Sequence, residues 1–299
     1  MKPVSFILIF LFFMTNHQAM SQETPGKFKL ALVQMNVIGG DRKANLAHAR
    51  EMIDEAASHV ADVILLPEAM DLGWTDPSAL TEAQSIPEGQ TCQVLIGLAK
   101  KHGVFICSGL IEKAGDKVFN SAIIINRQGE IILTHRKINE LDIGHPYYAL
   151  GEKLNVCETP FGTIGLLICA DANTENQVLT RSLAYMGADV ILSPSSWAVP
   201  PDHDNVTEPY GSTWENAYMP VAKDFAVWIA SSSNVGKMTG GPWKDWNGIG
   251  CSMVVNHKGE LITKGPYGAD ADTIIYVDIE PVSRPAQGTN WPGYWDRKK

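Results

Sequence analysis

The sequence predicts a mixed α/β sandwich built as one domain. Three observations carry this. Short apolar, β-leaning runs are interleaved with segments whose apolar residues recur at helical spacing, and several runs are joined in pairs by hairpin signals. Most runs are apolar at consecutive positions, as in strands covered on both faces, which places helices on the outside. No Ser/Gly-rich linker, composition break or internal repeat divides the chain between about residues 27 and 281.

The elements follow in order. Residues 28–35 (FKLALVQM) form the first strand. Asp41 is suited to cap a helix in which Leu46, Ala49, Ile53, Ala56 and Val60 recur on one face. Residues 62–66 (DVILL) are a short buried strand ended by Pro67. Residues 90–102 read as a second helix stopped by Gly103, and 104–111 as a strand. Residues 118–126 and 130–135 pair across Arg127-Gln128-Gly129. Residues 154–158 and 163–168 pair across Pro160-Phe161-Gly162. A helix is expected over 173–186, stopped by Gly187, then a strand over 189–193. Residues 213–224 read as a helix despite Pro220, followed by a strand over 226–231. A third hairpin joins 251–256 to 261–263, and 273–279 is the last strand. The tail, 282–299, is rich in Pro, Gly and Trp.

Residues 1–21 (MKPVSFILIFLFFMTNHQAMS) stand apart. Lys2 precedes an apolar run over 4–14, and Ala19-Met20-Ser21 puts small residues where a signal peptidase reads. Roughly 11 apolar residues fall short of the ~20 needed to span a bilayer. A cleaved signal peptide is therefore expected, leaving 22–299 as an exported chain, periplasmic or secreted, without stable membrane insertion. The chain carries 24 Lys+Arg against 33 Asp+Glu, a net charge of −9, which lacks the basic footprint of a nucleic-acid binder. The five cysteines are Cys92, Cys107, Cys157, Cys169 and Cys251. An odd count leaves at least one thiol outside any intrachain bridge, and no CxxC pair supports a zinc or redox motif. Cys107 and Cys251 sit in apolar runs, where inert burial is the default. The pairing of Cys92, Cys107, Cys157 and Cys251 is left open.

Three residues lie just past predicted strand ends, where α/β proteins commonly place their sites: Glu68, Lys137 and Cys169. Each alone also fits a bland role, as a surface acid, a solvated loop lysine and a buried small hydrophobe. Together they have chemical sense. A thiolate is a strong nucleophile, but an ordinary thiol near pKa ~8.5 is mostly protonated at neutral pH. A carboxylate takes its proton, and a lysine ammonium stabilises the thiolate and then an oxyanion. The protonated carboxyl returns the proton to a leaving amine.

LLPEA (65–69), HRKINE (135–140) and ICADAN (168–173), in this order and at these separations, resemble the nitrilase superfamily of carbon–nitrogen hydrolases. PFGTIGLLICAD (160–171), GADVILSPSSW (187–197), SSSNVG (231–236) and GIGCSMVVNHKGE (248–260) extend the resemblance over about residues 27–279. It implies a four-layer α-β-β-α sandwich. It also implies a triad with Glu68 as general base and acid, Lys137 as oxyanion stabiliser and Cys169 as nucleophile. The implied activity is hydrolysis of a small linear amide or N-carbamoyl compound through a thioester, with no metal or organic cofactor. A homodimer or larger assembly is implied as well. Many members carry a second glutamate in the loop after the lysine. In KINELDIGHPYYALGE (137–152) that position falls at or near His145 or Pro146, where no acid stands. Glu140, Asp142 and Glu152 are the candidate replacements, and His145 a candidate polar group. Among the aromatic residues that suit a pocket wall (Tyr147, Tyr148, Trp197, Trp214, Trp243 and Trp246), Trp197 is the best placed and Tyr147 lies in the same loop as His145. Rival readings are nitrile hydrolysis or N-acyl transfer on the same triad, and a non-catalytic binding protein on the same scaffold.

Overall fold

The structure, a computed structural model, describes residues 26–284 together with 293 and 297. The expected signal peptide lies outside the described residues, as does most of the tail. β1 (Phe28–Gln34) leads to α1 (Arg42–Ser58), where the Asp41 carboxylate accepts the Ala44 N–H at 3.0 Å as an N-cap. Val60 does not belong to the buried face of α1. It lies past the helix end with φ 61° and is exposed. β2 (Val63–Leu65) is followed by the short α2 (Ala79–Glu82), which carries no sequence signal long enough to be read. α3 (Gln90–His102) ends where Gly103, at φ 64°, turns its N–H back onto Ala99 O. β3 (Phe105–Ala114), β4 (Lys117–Ile125) and β5 (Ile131–Arg136) form an antiparallel meander, and β6 (Val156–Thr159) and β7 (Gly162–Leu166) a hairpin.

The helix expected over 173–186 starts late. Cys169–Asn173 forms a 3-10 turn, and Asn176 and Gln177, at φ 53° and 50°, interrupt the path before α4 (Val178–Tyr185). β8 (Val190–Ser195), β9 (Ala198–Val199), α5 (Ser212–Phe225), β10 (Trp228–Ser233) and β11 (Val235–Lys237) come next. β12 (Asn247–Ile249), β13 (Met253–Val255), β14 (Leu261–Lys264) and β15 (Thr273–Ile279) complete the order. Pro220 sits on the exposed side of α5.

Two six-stranded sheets result, ordered β15-β1-β2-β3-β4-β5 and β14-β13-β10-β8-β7-β6. Each has three central parallel strands flanked by antiparallel ones. Side-chain alternation shows how both faces are covered. Leu30, Leu32, Val63 and Leu65 face the second sheet and share its core, with Val190 and Ile229. Ala31, Val33, Ile64 and Leu66 face the other way, onto Leu46 and Ile53 of α1 and Leu95 of α3. α4 and α5 cover the outside of the second sheet through Leu183, Tyr218 and Val221. The fold is thus the four-layer α-β-β-α sandwich. A small third sheet, β11-β12-β9, joins strands of two or three residues and was not foreseen. No helix among the described residues is long and apolar enough to cross a membrane.

Candidate active site

The central parallel strands of both sheets deliver their carboxyl ends to one place, the usual position for a site in α/β folds. Glu68 follows β2 and Pro67, Cys169 lies beyond β7, and Ser196 follows β8. Lys137 comes directly after the edge strand β5. Glu68, Lys137, Cys169 and Ser196 line one cavity of about 260 Å³.

The carboxylate of Glu68 is buried. Its Oε1 accepts from Lys137 Nζ at 2.8 Å and from Asn120 Nδ2, on β4, at 2.7 Å. Its backbone N–H donates to Ser195 O at 3.1 Å, which ties the segment to the opposite sheet. Lys137 Nζ also lies 3.0 Å from Glu140 Oε1. Glu140 is itself held by Trp74 Nε1 (3.2 Å), the Leu141 N–H (3.0 Å) and Asn120 Nδ2 (3.1 Å). The acid beside the lysine is therefore Glu140, reached three residues on. His145, expected as a polar group here, is exposed at the end of a 3-10 turn. Tyr147 is half-buried against the Trp74 and Tyr148 cluster and does not line the cavity.

Burial pushes the Glu68 carboxyl above its ordinary pKa. The Lys137 ammonium opposes this and the Glu140 charge adds to it. Burial alone would lower Lys137, but the Glu68 and Glu140 carboxylates outweigh it and hold the ammonium well above its usual range. Burial raises the Cys169 thiol, and the Glu68 charge raises it further, while Lys137 and the Ser196 N–H favour the thiolate. The arrangement is a neutral thiol beside a carboxylate of raised proton affinity, which suits proton transfer between them.

Cys169 has φ 45°, a left-handed conformation uncommon for a residue with a Cβ. Asp171 holds this turn. Its Oδ2 accepts from the Ile168 N–H (3.0 Å) and His135 Nε2 (2.7 Å), and its Oδ1 from the Ile138 N–H (3.0 Å) and Asn139 N–H (2.7 Å). Burial works against that charge. The His135 and backbone donors prevail and keep its pKa low. One carboxylate thus pins the Lys137 loop to the Cys169 turn. Sequence reasoning quoted Asp171 inside a motif without giving it a task, and it missed His135, Asn120 and Ser196. Asn120 lies within an apolar strand run, where only tertiary contact exposes its role.

Trp197 lines the cavity as expected, stacked on Trp214 at 4.6 Å and 18°. Trp243, named in the sequence behind Trp197, and Tyr210 and Trp74, which were not named, complete an aromatic wall. All five cysteines are free. Burial raises Cys157 and Cys251 to about 11, Cys92 to about 12 and Cys107 well above its ordinary value. Among the described residues, no group of three or more His, Cys, Asp or Glu is arranged to hold a metal ion.

The Carbon-nitrogen hydrolase family model matches residues 29–286. The chain is similar to the "Omega-amidase NIT2" of Danio rerio, 30% identical over 85% of this chain and 88% of that protein. It is similar to a nitrilase of Pyrococcus abyssi, 31% identical over 84% of this chain and 90% of that one. The crystal structure of Nit3 from Saccharomyces cerevisiae superposes with a TM-score of 0.73 and 26% identity, over 86% of this chain and 92% of that one.

Proposed function

The chain belongs to the carbon–nitrogen hydrolase family, and from that membership we propose that it hydrolyses a small linear amide or N-carbamoyl compound through a thioester on Cys169. The supporting observation is the buried Glu68–Lys137–Glu140 array, with Nζ 2.8 and 3.0 Å from the two carboxylates, set on the same cavity as Cys169. Glu68 takes the Sγ proton as sulfur bonds to the carbonyl carbon. The Lys137 ammonium stabilises the oxyanion. The C–N bond breaks as Glu68 returns the proton to nitrogen, and ammonia or an amine leaves. Glu68 then deprotonates a water that attacks the thioester carbon. The acid departs, and the thiol recovers its proton.

A nitrile is the second reading, favoured by the name of the Pyrococcus relative. The test is ammonia release from amides, N-carbamoyl amino acids and nitriles, with wild type and Cys169→Ala side by side. Turnover that disappears in Cys169→Ala is expected. Turnover that survives refutes the thioester route. Carbon dioxide released with ammonia marks an N-carbamoyl substrate.

Export is part of the proposal and rests on the pattern of residues 1–21. A mature N-terminus that still begins at Met1 refutes it. A homodimer or larger assembly is supported by the exposed apolar side chains Val178, Tyr185 and Met186 on and just after α4. A monomer at all concentrations in sedimentation refutes that part.

A further inference from the structure

We propose that the acyl group this site accepts is a small neutral aromatic one, and that amides carrying a carboxylate are rejected. The inference rests on the amidohydrolase reading, narrows it from N-carbamoyl compounds to amides, and adds the substrate class.

Charge decides the rejection. Among the described residues lining the cavity, Lys137 is the one cationic side chain. Its ammonium already faces two carboxylates, Glu68 at 2.8 Å and Glu140 at 3.0 Å. A carboxylate brought into this space finds no unpaired cation and two buried negative neighbours. Like charges brought together in this way oppose recognition. The amide of Asn139 does not compensate. Asn139 Nδ2 already donates to Ala170 O at 2.6 Å.

The walls decide the acceptance. Trp197 and Trp214 form a near-parallel stack, a flat and rigid plate. Trp74 meets Trp243 edge-on at 5.0 Å and 67°, and Trp243 is backed by Trp246 at 4.3 Å and 7°. Rings braced in this way present π-faces and edges without freezing free rotors, and a planar ligand extends such packing. The volume, about 260 Å³, lies below the roughly 300–1,000 Å³ of pockets for drug-sized ligands. It suits one ring and a carboxamide.

The experiment compares phenylacetamide, hexanamide and glutaramate. kcat/KM is measured on wild type, and equilibrium binding on Cys169→Ala by tryptophan fluorescence. Phenylacetamide is expected to exceed hexanamide by about tenfold and glutaramate by about a hundredfold or more. Trp243→Leu is expected to erase the preference for phenylacetamide over hexanamide. Glutaramate turned over as well as phenylacetamide overturns the inference and leaves the amidohydrolase reading standing. Preferential binding of phenylacetamide to Cys169→Ala, with no turnover by wild type, does the reverse. Neither binding nor turnover overturns both.

Discussion

At the scale of single residues, the lysine's second carboxylate is the point on which the structure chooses among the sequence's candidates. Spacing put no acid at His145 or Pro146 and left Glu140, Asp142 and Glu152 as candidates; side-chain reach selects Glu140, which shares Lys137 and Asn120 with Glu68. Glu140→Gln keeps the shape. It removes one charge from the ammonium and sets a second amide N–H against Asn120 Nδ2 or Trp74 Nε1. kcat is expected to fall by about a hundredfold, with KM little changed. His145→Ala, on the exposed turn, is expected to stay within about twofold of wild type. Steady-state kinetics on both variants checks the assignment, and the reverse ranking would return the role to His145. Asp71 offers a pH prediction away from this chemistry. It is buried, with the Ile111 N–H and Thr91 Oγ1 each at 3.1 Å, and burial raises its pKa from 3.8 to about 6 against the pull of Arg42. The native chain then binds this proton more tightly than the unfolded chain does. Stability from this group is full below about pH 4 and is lost as pH rises to about 6, on the order of 3 kcal/mol. Urea unfolding of wild type against Asp71→Asn is expected to favour wild type more at pH 4.5 than at pH 7. A difference independent of pH refutes it.

At the scale of elements, the readable ones were those with an intrinsic signal. α3 matches its expected span because Gly103 ends the apolar periodicity, and β15 because its Thr/Ile/Tyr/Val run is bounded by Asp272 and Pro281. β9, β11 and β12 are too short to register, Gly236 and Gly248 interrupt the last two, and all three exist because partners across the sheet satisfy their backbones. The delayed start of α4 is tertiary too, since the turn at Cys169 and the left-handed Asn176 and Gln177 override a helical pattern. One exacting contact between elements was invisible in one dimension. A Cβ on Gly109, in β3, would lie 2.5 Å from Glu68 Cα, 2.8 Å from Pro67 O and 2.9 Å from Ala69 N. All three are backbone atoms of the segment that carries Glu68, so no flexible side chain can yield. Gly109→Ala is expected to displace that segment, costing about 1–3 kcal/mol in stability and about a hundredfold in kcat/KM. Unfolding and kinetics on the same preparation separate the two. Unchanged kinetics would mean that β3, not the Glu68 segment, absorbs the strain.

At the scale of the whole molecule, the site exists because two sheets close on each other. Glu68 and Lys137 leave the first sheet and Cys169 leaves the second, so no half of the sandwich holds the set. The chain crosses between sheets with the Glu68 N–H on Ser195 O, Ser232 Oγ on Val33 O at 2.8 Å, and the Val235 N–H on Met35 O at 2.9 Å. The tie with the most partners is Asp171, one buried carboxylate joining β5 and the loop after it to the end of β7. Asp171→Ala strands His135 and three backbone N–H groups together, and breaking a buried pair in this way costs about 3–5 kcal/mol. Asp171→Asn retains one acceptor oxygen, serves Ile138 and Asn139, and turns its amide N–H groups onto the Ile168 N–H, so a smaller loss is expected. The sign of the pH dependence follows from the low pKa of Asp171 in the fold. Its stabilisation is present above the ordinary carboxylate range and is lost as pH falls through the folded value, so the gap between wild type and Asp171→Asn is expected to narrow in acid. Activity distinguishes a positioning residue from a merely stabilising one. If Asp171 aligns the Lys137 loop with the Cys169 turn, folded Asp171→Asn at neutral pH loses kcat with little change in KM, and its urea midpoint falls in parallel. A variant that loses stability but keeps kcat would reduce Asp171 to a fastener between the sheets.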